Sequence, residues 1–143
     1  TVLRNALPDQ NVRVHIASCH RNLEEIERFA KEADCDVIIA GAGKAAVLPG
    51  FVDAYLRHHH KNTSINVVGV AFKGTDKGGN EAAVLSITQV PGTQVTYAGQ
   101  GEAGFHKACL MACSKSLPEI TPPETPLPLD MSLEKAIELA SQA

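Results

Sequence analysis

Two short and almost purely apolar runs, Val37–Ala40 and Val67–Val70, limit the folds open to this chain. A parallel strand covered by helices on both faces has this continuous apolar character. Residues 12–16 and 94–98 alternate apolar with polar residues, which predicts two further strands. Helical periodicity in the intervening stretches gives the order β-α-β-α-β-α-β-α. We therefore predict a doubly wound α/β fold with a parallel sheet and helices on both faces.

Composition narrows the class of protein. The chain has 143 residues, enough for one domain with a real core, and only 4% of them are aromatic. A net charge of −3 gives no basic surface for nucleic acid, so we expect no nucleic-acid partner. No apolar run reaches the roughly 20 residues that span a bilayer, and we expect no membrane association.

The cysteines and histidines show no metal-ligand pattern. Cys19, Cys35, Cys109 and Cys113 form no CxxC pair and predict reduced thiols in a cytoplasmic protein. The triplet His58–His60 cannot direct all three rings at one ion, since successive helical residues point about 100° apart. We interpret the triplet as a solvated helix end and expect no metal site.

The last part of the chain differs from the rest. Residues 118–130 hold five of the eight prolines, which predicts an extended arm rather than a helix. Residues 131–143 form an amphipathic pattern, with Leu133, Ile137 and Ala140 on one face. So short a helix is marginal alone in water, and we expect it to dock on a neighbouring subunit. The predicted units are an α/β domain (1–117), the arm (118–130) and a docking helix (131–143).

Two segments place reactive groups at the carboxyl edge of the predicted sheet. Ser18-Cys19-His20-Arg21 follows the first strand, and the glycine-rich turn Gly41–Gly43 follows the second. Ligands bind at this edge in parallel α/β sheets. Asn22 is then the predicted N-cap of a helix, with Glu25 as its reciprocal capping partner.

Three motifs resemble those of a known family. They are Ser18–Arg21, Ala40–Gly50 (AGAGKAAVLPG) and Leu85–Gly92 (LSITQVPG). In this order and spacing they resemble the PurE family of 5-(carboxyamino)imidazole ribonucleotide mutases and carboxylases, over residues 2–116. The resemblance implies a three-layer, flavodoxin-like fold, and homo-octamers with active sites at subunit contacts. It implies purine-biosynthetic carboxyl transfer on a nucleotide substrate, with CO2 as the transferred group and no cofactor.

The resemblance also implies roles for individual residues. His20 is the expected general acid/base, because histidine gives and takes protons near neutral pH. Arg21 would hold the substrate phosphate, and Ser18 would donate to the same anion. The remaining expected substrate contacts follow the second strand: Gly41, Ala42, Gly43, Lys44 and Leu48.

The sequence also departs from the family pattern. Lys44 and Val47 stand where the family motif has a glycine and a histidine, and the stretch 57–62 resembles an insertion. The family's opening strand and Gly-Ser-x-Ser-Asp phosphate loop have no counterpart in this sequence, where the first residues resemble the second half of the family's first helix. Two alternatives therefore stay open. One is a related carboxylase of another nucleotide, such as nicotinate mononucleotide, and the other is a non-catalytic, oligomeric nucleotide-binding subunit.

Overall fold

A computed structural model describes residues 11–143. Its sheet is parallel and open, with the strands β1 (Val37–Ala42), β2 (Asn66–Ala71) and β3 (Thr96–Gln100) in the order β1-β2-β3. The fold is therefore the predicted flavodoxin-like α/β class. The helices are α1 (Leu23–Glu32), α2 (Leu48–Ala54), continued by a π-helical turn (Tyr55–His59), α3 (Lys77–Thr88), α4 (Gly101–Ser114) and α5 (Leu133–Ala140).

The core lies on both faces of β2, which is the central strand. Val67 points toward α1 and α2, in a cluster with Ile26, Ile38 and Leu56. Val68 and Val70 point to the opposite face, against Ala98 and α4. Burial on both faces explains why β2 carries no polar residue after Asn66. The apolar runs thus predicted β1 and β2 correctly.

Gly69 in β2 allows two helices to approach the sheet closely. A Cβ at this position would lie 2.7 Å from Ile87 Cγ2 of α3 and 2.8 Å from Val95 Cγ1. It would also lie 3.6 Å from Pro49 Cβ of α2. Any side chain at Gly69 would therefore collide with Ile87 and Val95 and push α3 away from the strand, since packed interiors have little room to yield.

The predicted strand at residues 12–16 is wrong: this segment pairs with no strand. Val14 and Ile16 are 72% and 93% exposed. The ring of His15 instead stacks on Phe29 of α1, with 5.0 Å between the ring centroids. In the flavodoxin-like strand order 2-1-3-4-5, the second and third strands are not neighbours, because the first lies between them. No strand in residues 11–143 takes that first position, so residues 12–16 have no backbone partner.

The predicted capping box of α1 is also wrong. Asn22 occupies the N-cap position but makes no side-chain cap; its Oδ1 accepts from the backbone N–H of Ser18, at 3.1 Å. Glu25 binds Arg28 one turn along the helix. That hydrogen bond and the charge of Arg28 lower the pKa of Glu25. A charged partner within the helix competes better for the carboxylate than a backbone N–H does.

Helix α2 begins at Leu48 and continues through the π-helical turn to His59. Helix α4 begins at Gly101, directly after β3. Gly99 and Gly101 have φ angles of +142° and +67°. These two glycines with positive φ therefore let the chain turn sharply from β3 into α4.

A buried ion pair joins α2 to the amino-terminal edge of the sheet. Arg57 is 1% exposed; its Nε donates to Asp53 Oδ1 at 3.1 Å and its Nη2 to the carbonyl of Ile65 at 2.6 Å. Asp53 Oδ2 accepts from the backbone N–H of Gln94, just before β3, at 3.0 Å. Burial lowers the pKa of Arg57 and the charge of Asp53 opposes this effect. Arg57 therefore belongs to the core.

The arm crosses the same amino-terminal edge. The amide of Asn66 donates to the carbonyl of Pro118 at 2.9 Å, and Gln94 exchanges two hydrogen bonds with the backbone of Thr121. Thr125 Oγ1 lies 2.6 Å from His58 Nδ1. Beyond Thr125 the chain is exposed through α5. Within residues 11–143, no helix combines the length and apolar character needed to cross a bilayer.

Candidate functional site

The glycine-rich turn lies at the carboxyl end of β1, as predicted. Gly41 and Ala42 are the last two residues of the strand, and Gly43 opens the turn. Phe72, which follows β2, covers this turn: a Cβ on Gly41 would collide with its ring, and one on Gly43 would lie 3.3 Å from its Cβ. Phe72 also donates its backbone N–H to the carbonyl of Ala42, at 2.7 Å. These contacts fix the turn against the end of β2.

Lys44 continues the turn with a left-handed backbone. Its φ is +54°, a conformation that favours glycine, and the residue is exposed. The stem of Lys44 passes close to Gly79 in the first turn of α3, where an added Cβ would lie 3.6 Å from Lys44 Cγ. The ammonium group makes no ion pair within residues 11–143. Lys44 therefore adds an unpaired positive charge where the chain leaves β1.

Ser18–Arg21 forms a compact turn before α1. The backbone N–H of Asn22 donates to the carbonyl of Ser18 at 2.7 Å, and the N–H of Arg21 donates to Ser18 Oγ at 3.4 Å. His20 and Arg21 are exposed. Their side chains are therefore free to meet a ligand from solvent.

The two segments share a core but not a direct polar contact. Cys19 and Leu48 both pack against the cluster that contains Ile38 and Ala40 of β1. In the described part of the chain, no hydrogen bond or ion pair joins His20 to the glycine turn. Leu48, expected to contact substrate, is half-buried at the start of α2. The structure thus anchors both segments to the β1 side of the sheet.

The thiol of Cys19 lies next to His20 at this edge of the sheet. Partial burial raises the pKa of the Cys19 thiol, so the thiol next to His20 stays protonated at neutral pH. Across residues 11–143, no three His, Cys, Asp or Glu side chains come together as metal ligands.

Sequence reasoning missed an open groove between the ends of β2 and β3. This lysine groove has a volume of about 530 Å³, and its lining includes Lys73, Lys77, Glu81, Val84, Leu85 and Gln100. Gln100 Nε2 donates to the carbonyl of Asn80 at 2.9 Å, which ties the end of β3 to α3. The lining residues come from three separate elements, so no single stretch of sequence predicted the groove. The two lysines after β2 were the only feature in the sequence that could have indicated it.

The sequence is similar to a known family and to several named proteins. The family described as AIR carboxylase matches residues 6–117. The N5-carboxyaminoimidazole ribonucleotide mutase of Pseudomonas aeruginosa is 36% identical over 105 residues, which are 71% of this chain and 60% of that protein. The proteins of the same name from Saccharolobus solfataricus and Escherichia coli are 39% and 36% identical, over 68% and 69% of this chain.

The matched part covers only some of each relative. It spans 58% of the Saccharolobus solfataricus protein and 56% of the Escherichia coli protein. The chain thus spans somewhat more than half the length of the curated relatives it matches. The family match itself extends over most of the chain and includes all three sequence motifs. The chain belongs to the AIR carboxylase family.

Proposed function

We propose that this chain carries out carboxyl transfer on an imidazole ribonucleotide in purine biosynthesis, as a carboxyaminoimidazole ribonucleotide mutase. The observation that carries the proposal is the family match over residues 6–117, together with relatives that bear the name of this mutase. The motifs at 18–21 and 40–50 lie in the matched region. Both are anchored on the β1 side of the sheet, where a ligand can meet them.

In this proposal His20 is the general acid/base. Moving a carboxyl group from an exocyclic nitrogen to a ring carbon requires a proton to be delivered to nitrogen and another to be removed from carbon. One imidazole can perform both transfers in turn. His20 is exposed and follows the half-buried Cys19. Its ring is therefore available to a bound heterocycle.

The remaining roles concern binding. Arg21 binds the phosphate with charge-assisted hydrogen bonds, and Ser18 donates to the same group. Gly41, Ala42 and Gly43 bring backbone close to the planar ring. An added side chain at Gly41 would collide with Phe72. Lys44 and Leu48 form the rim and base of the pocket.

The working protein is proposed to be a cytoplasmic homo-oligomer, with the octamer as the expected form. The substrate is a small nucleotide and the transferred group is released and recaptured as CO2. The unburied α5 supports association between chains.

The first test is turnover of carboxyaminoimidazole ribonucleotide by the chain and by a His20→Asn variant. Losing the acid/base should reduce kcat by about 10²- to 10⁴-fold. His106→Asn is the matched control, because His106 is an exposed histidine on α4, away from the glycine turn. Arg21→Gln should instead raise KM most strongly. Full activity of His20→Asn would refute the assigned role.

A non-catalytic nucleotide-binding subunit is the second candidate function. Val47 in place of the usual histidine favours it. Equilibrium dialysis with the ribonucleotide separates the two: binding without turnover supports the subunit. Turnover of nicotinate mononucleotide instead would identify the related carboxylase.

A further inference from the structure

Phe72 is an exposed aromatic residue at the carboxyl edge of the sheet. It directly follows β2, and 52% of its surface is exposed. A single exposed apolar residue is ordinary on a protein surface. Phe72 differs because it lies at the edge where parallel α/β sheets bind ligands, against the glycine turn. Within residues 11–143, no other aromatic ring stacks on it. Its ring is therefore an open apolar surface beside the candidate site.

Three contacts hold Phe72 in this position. Its backbone N–H donates to the carbonyl of Ala42 at 2.7 Å, which continues the pairing of β1 with β2. A Cβ on Gly43 would lie 3.3 Å from Phe72 Cβ. The outer end of the ring lies where Gly41 has no side chain: an added Cβ would lie 2.7 Å from Cζ and closer still to Cε1. Phe72 is therefore positioned without being buried, and a ligand that contacts it orders no mobile side chain.

Two lysines adjoin this ring along the chain. Lys73 directly follows Phe72, and Lys44 directly follows Gly43. Both lysines are exposed, and neither forms an ion pair within residues 11–143. An aromatic ring stacks on another planar ring, and nearby ammonium groups attract negative charge. This part of the edge therefore fits a planar heterocycle that carries a carboxylate or a phosphate.

We propose that Phe72 selects the heterocycle of the substrate by stacking on its planar ring. Gly41 then acts through Phe72, because its missing side chain leaves the space that the phenyl ring occupies. The contacts proposed for Ser18 and Arg21 hold only the phosphate, which any phosphoribosyl compound supplies. Stacking adds selection for the ring and fixes its plane, so that the reacting nitrogen and carbon are presented in one orientation. This inference rests on the proposed function, since it assigns a further substrate contact to the same edge.

Binding of two ligands tests this role without turnover. Aminoimidazole ribonucleotide carries the heterocycle and ribose 5-phosphate lacks it, and equilibrium dialysis at pH 8 measures the Kd of each. Phe72→Leu should raise the Kd of the ribonucleotide about 3- to 10-fold and leave that of ribose 5-phosphate unchanged. Phe72→His, which keeps a planar ring, should retain most of the selection for the ribonucleotide. Phe51→Leu is the matched control and should change neither Kd, since Phe51 is an exposed phenylalanine on α2.

Gly41→Ala tests the space that the ring occupies. It should raise the Kd of the ribonucleotide in the wild-type chain and have little further effect in a chain that already carries Phe72→Leu, because residues in contact are not additive. Circular dichroism will verify that each variant is folded. Additive effects of the two changes would overturn the action of Gly41 through Phe72.

The two Kd values also separate this inference from the mutase activity. A purely structural role of Phe72 would weaken the binding of both ligands equally in Phe72→Leu, and that result overturns the proposal. An unchanged Kd of the ribonucleotide, or no binding of it by the wild type, overturns the proposal as well. Selective loss of ribonucleotide binding in Phe72→Leu, in a chain that shows no turnover, would support the role of Phe72 and refute the mutase activity.

Discussion

Lys44 shows how a single residue can conflict with its backbone. Its left-handed conformation costs a non-glycine residue about 1–2 kcal/mol, and the turn keeps this shape because Phe72 and Gly79 enclose it. Lysine therefore contributes strain where the family motif has glycine. In the proposed function, this strain accompanies the positive charge that Lys44 places at the rim of the substrate pocket.

Replacing Lys44 with glycine should stabilise the fold. Relief of the left-handed strain exceeds the added entropy of the unfolded chain, and we expect a net gain of about 0.5–1 kcal/mol in the free energy of unfolding. Urea denaturation monitored by circular dichroism will measure it. Lys107→Gly, within α4, should instead lose about 1 kcal/mol. A loss of stability in Lys44→Gly would show that the lysine stem makes a compensating contact.

The Cys35 thiol should react slowly. Desolvation first, and then the charges of Asp36 and Asp34, raise its pKa above the ordinary value. Only the thiolate is nucleophilic, so a raised pKa means less reactive form at any pH below it. At pH 8, alkylation of Cys35 by iodoacetamide should be slower than that of free cysteine, and the rate should keep rising above pH 9. Peptide mass mapping will separate this thiol from the others.

Neutralising the two aspartates gives the control for that prediction. Asp34→Asn with Asp36→Asn should lower the pKa of Cys35 and speed labelling at pH 8. Glu32→Gln, which removes a charge that does not act on this thiol, should leave the rate unchanged. Equal rates in all three proteins would mean that the acidic neighbours do not control the thiol.

At the scale of elements, the Asp53–Arg57 pair determines how α2 meets the sheet. Arg57→Leu would leave Asp53 as an unpaired buried charge and leave the Ile65 carbonyl without its donor. We expect a loss of about 3–5 kcal/mol in the free energy of unfolding, measured by urea denaturation. Arg28→Leu is the matched control: its pairs with Glu25 and Glu32 are exposed to solvent, so the loss should be much smaller than for Arg57→Leu. Similar losses in both variants would contradict the structural role of Arg57.

Local sequence patterns correctly predicted the strands that are buried at the centre of the sheet. The apolar run of β2 identified a central strand, because burial on both faces requires that composition. The alternating residues 12–16 carry an equally good local pattern, but a strand also needs a hydrogen-bonded neighbour, which a local pattern cannot supply. The buried position of Arg57 was not predicted, because the carbonyl of Ile65 that it binds lies eight residues along the chain, outside any helical pattern.

In the candidate site, too, only the parts formed by one local segment of the chain could be predicted. The glycine turn follows directly from β1, so its position at the carboxyl edge could be predicted. The lysine groove could not, because Lys73, Leu85 and Gln100 meet only once β2, α3 and β3 have packed. The roles of Ser18, His20 and Arg21 rest on the family resemblance and await the turnover measurements.

At the scale of the whole molecule, β1 has the composition of an inner strand at the position of an edge strand. Its sequence, Val-Ile-Ile-Ala-Gly-Ala, contains none of the charges or prolines that protect natural sheet edges from association. One side of β1 pairs with β2, and the other side has no strand beside it in residues 11–143. An apolar edge of this kind is a preferred place for a further strand to add.

Hydrogen exchange should reveal this open edge. The backbone amides of β2 are bonded between two strands and should exchange slowest, near the rate set by global unfolding. Alternate amides of β1, those that point away from β2, should exchange many times faster, and residues 12–16 faster still. The measurement is amide exchange followed by NMR at low protein concentration, with α4, which packs on β3, as the internal control. Equal protection across β1 and residues 12–16 would mean that a strand already covers the edge in solution. Fast exchange limited to that edge would instead identify the surface at which the sheet can still grow.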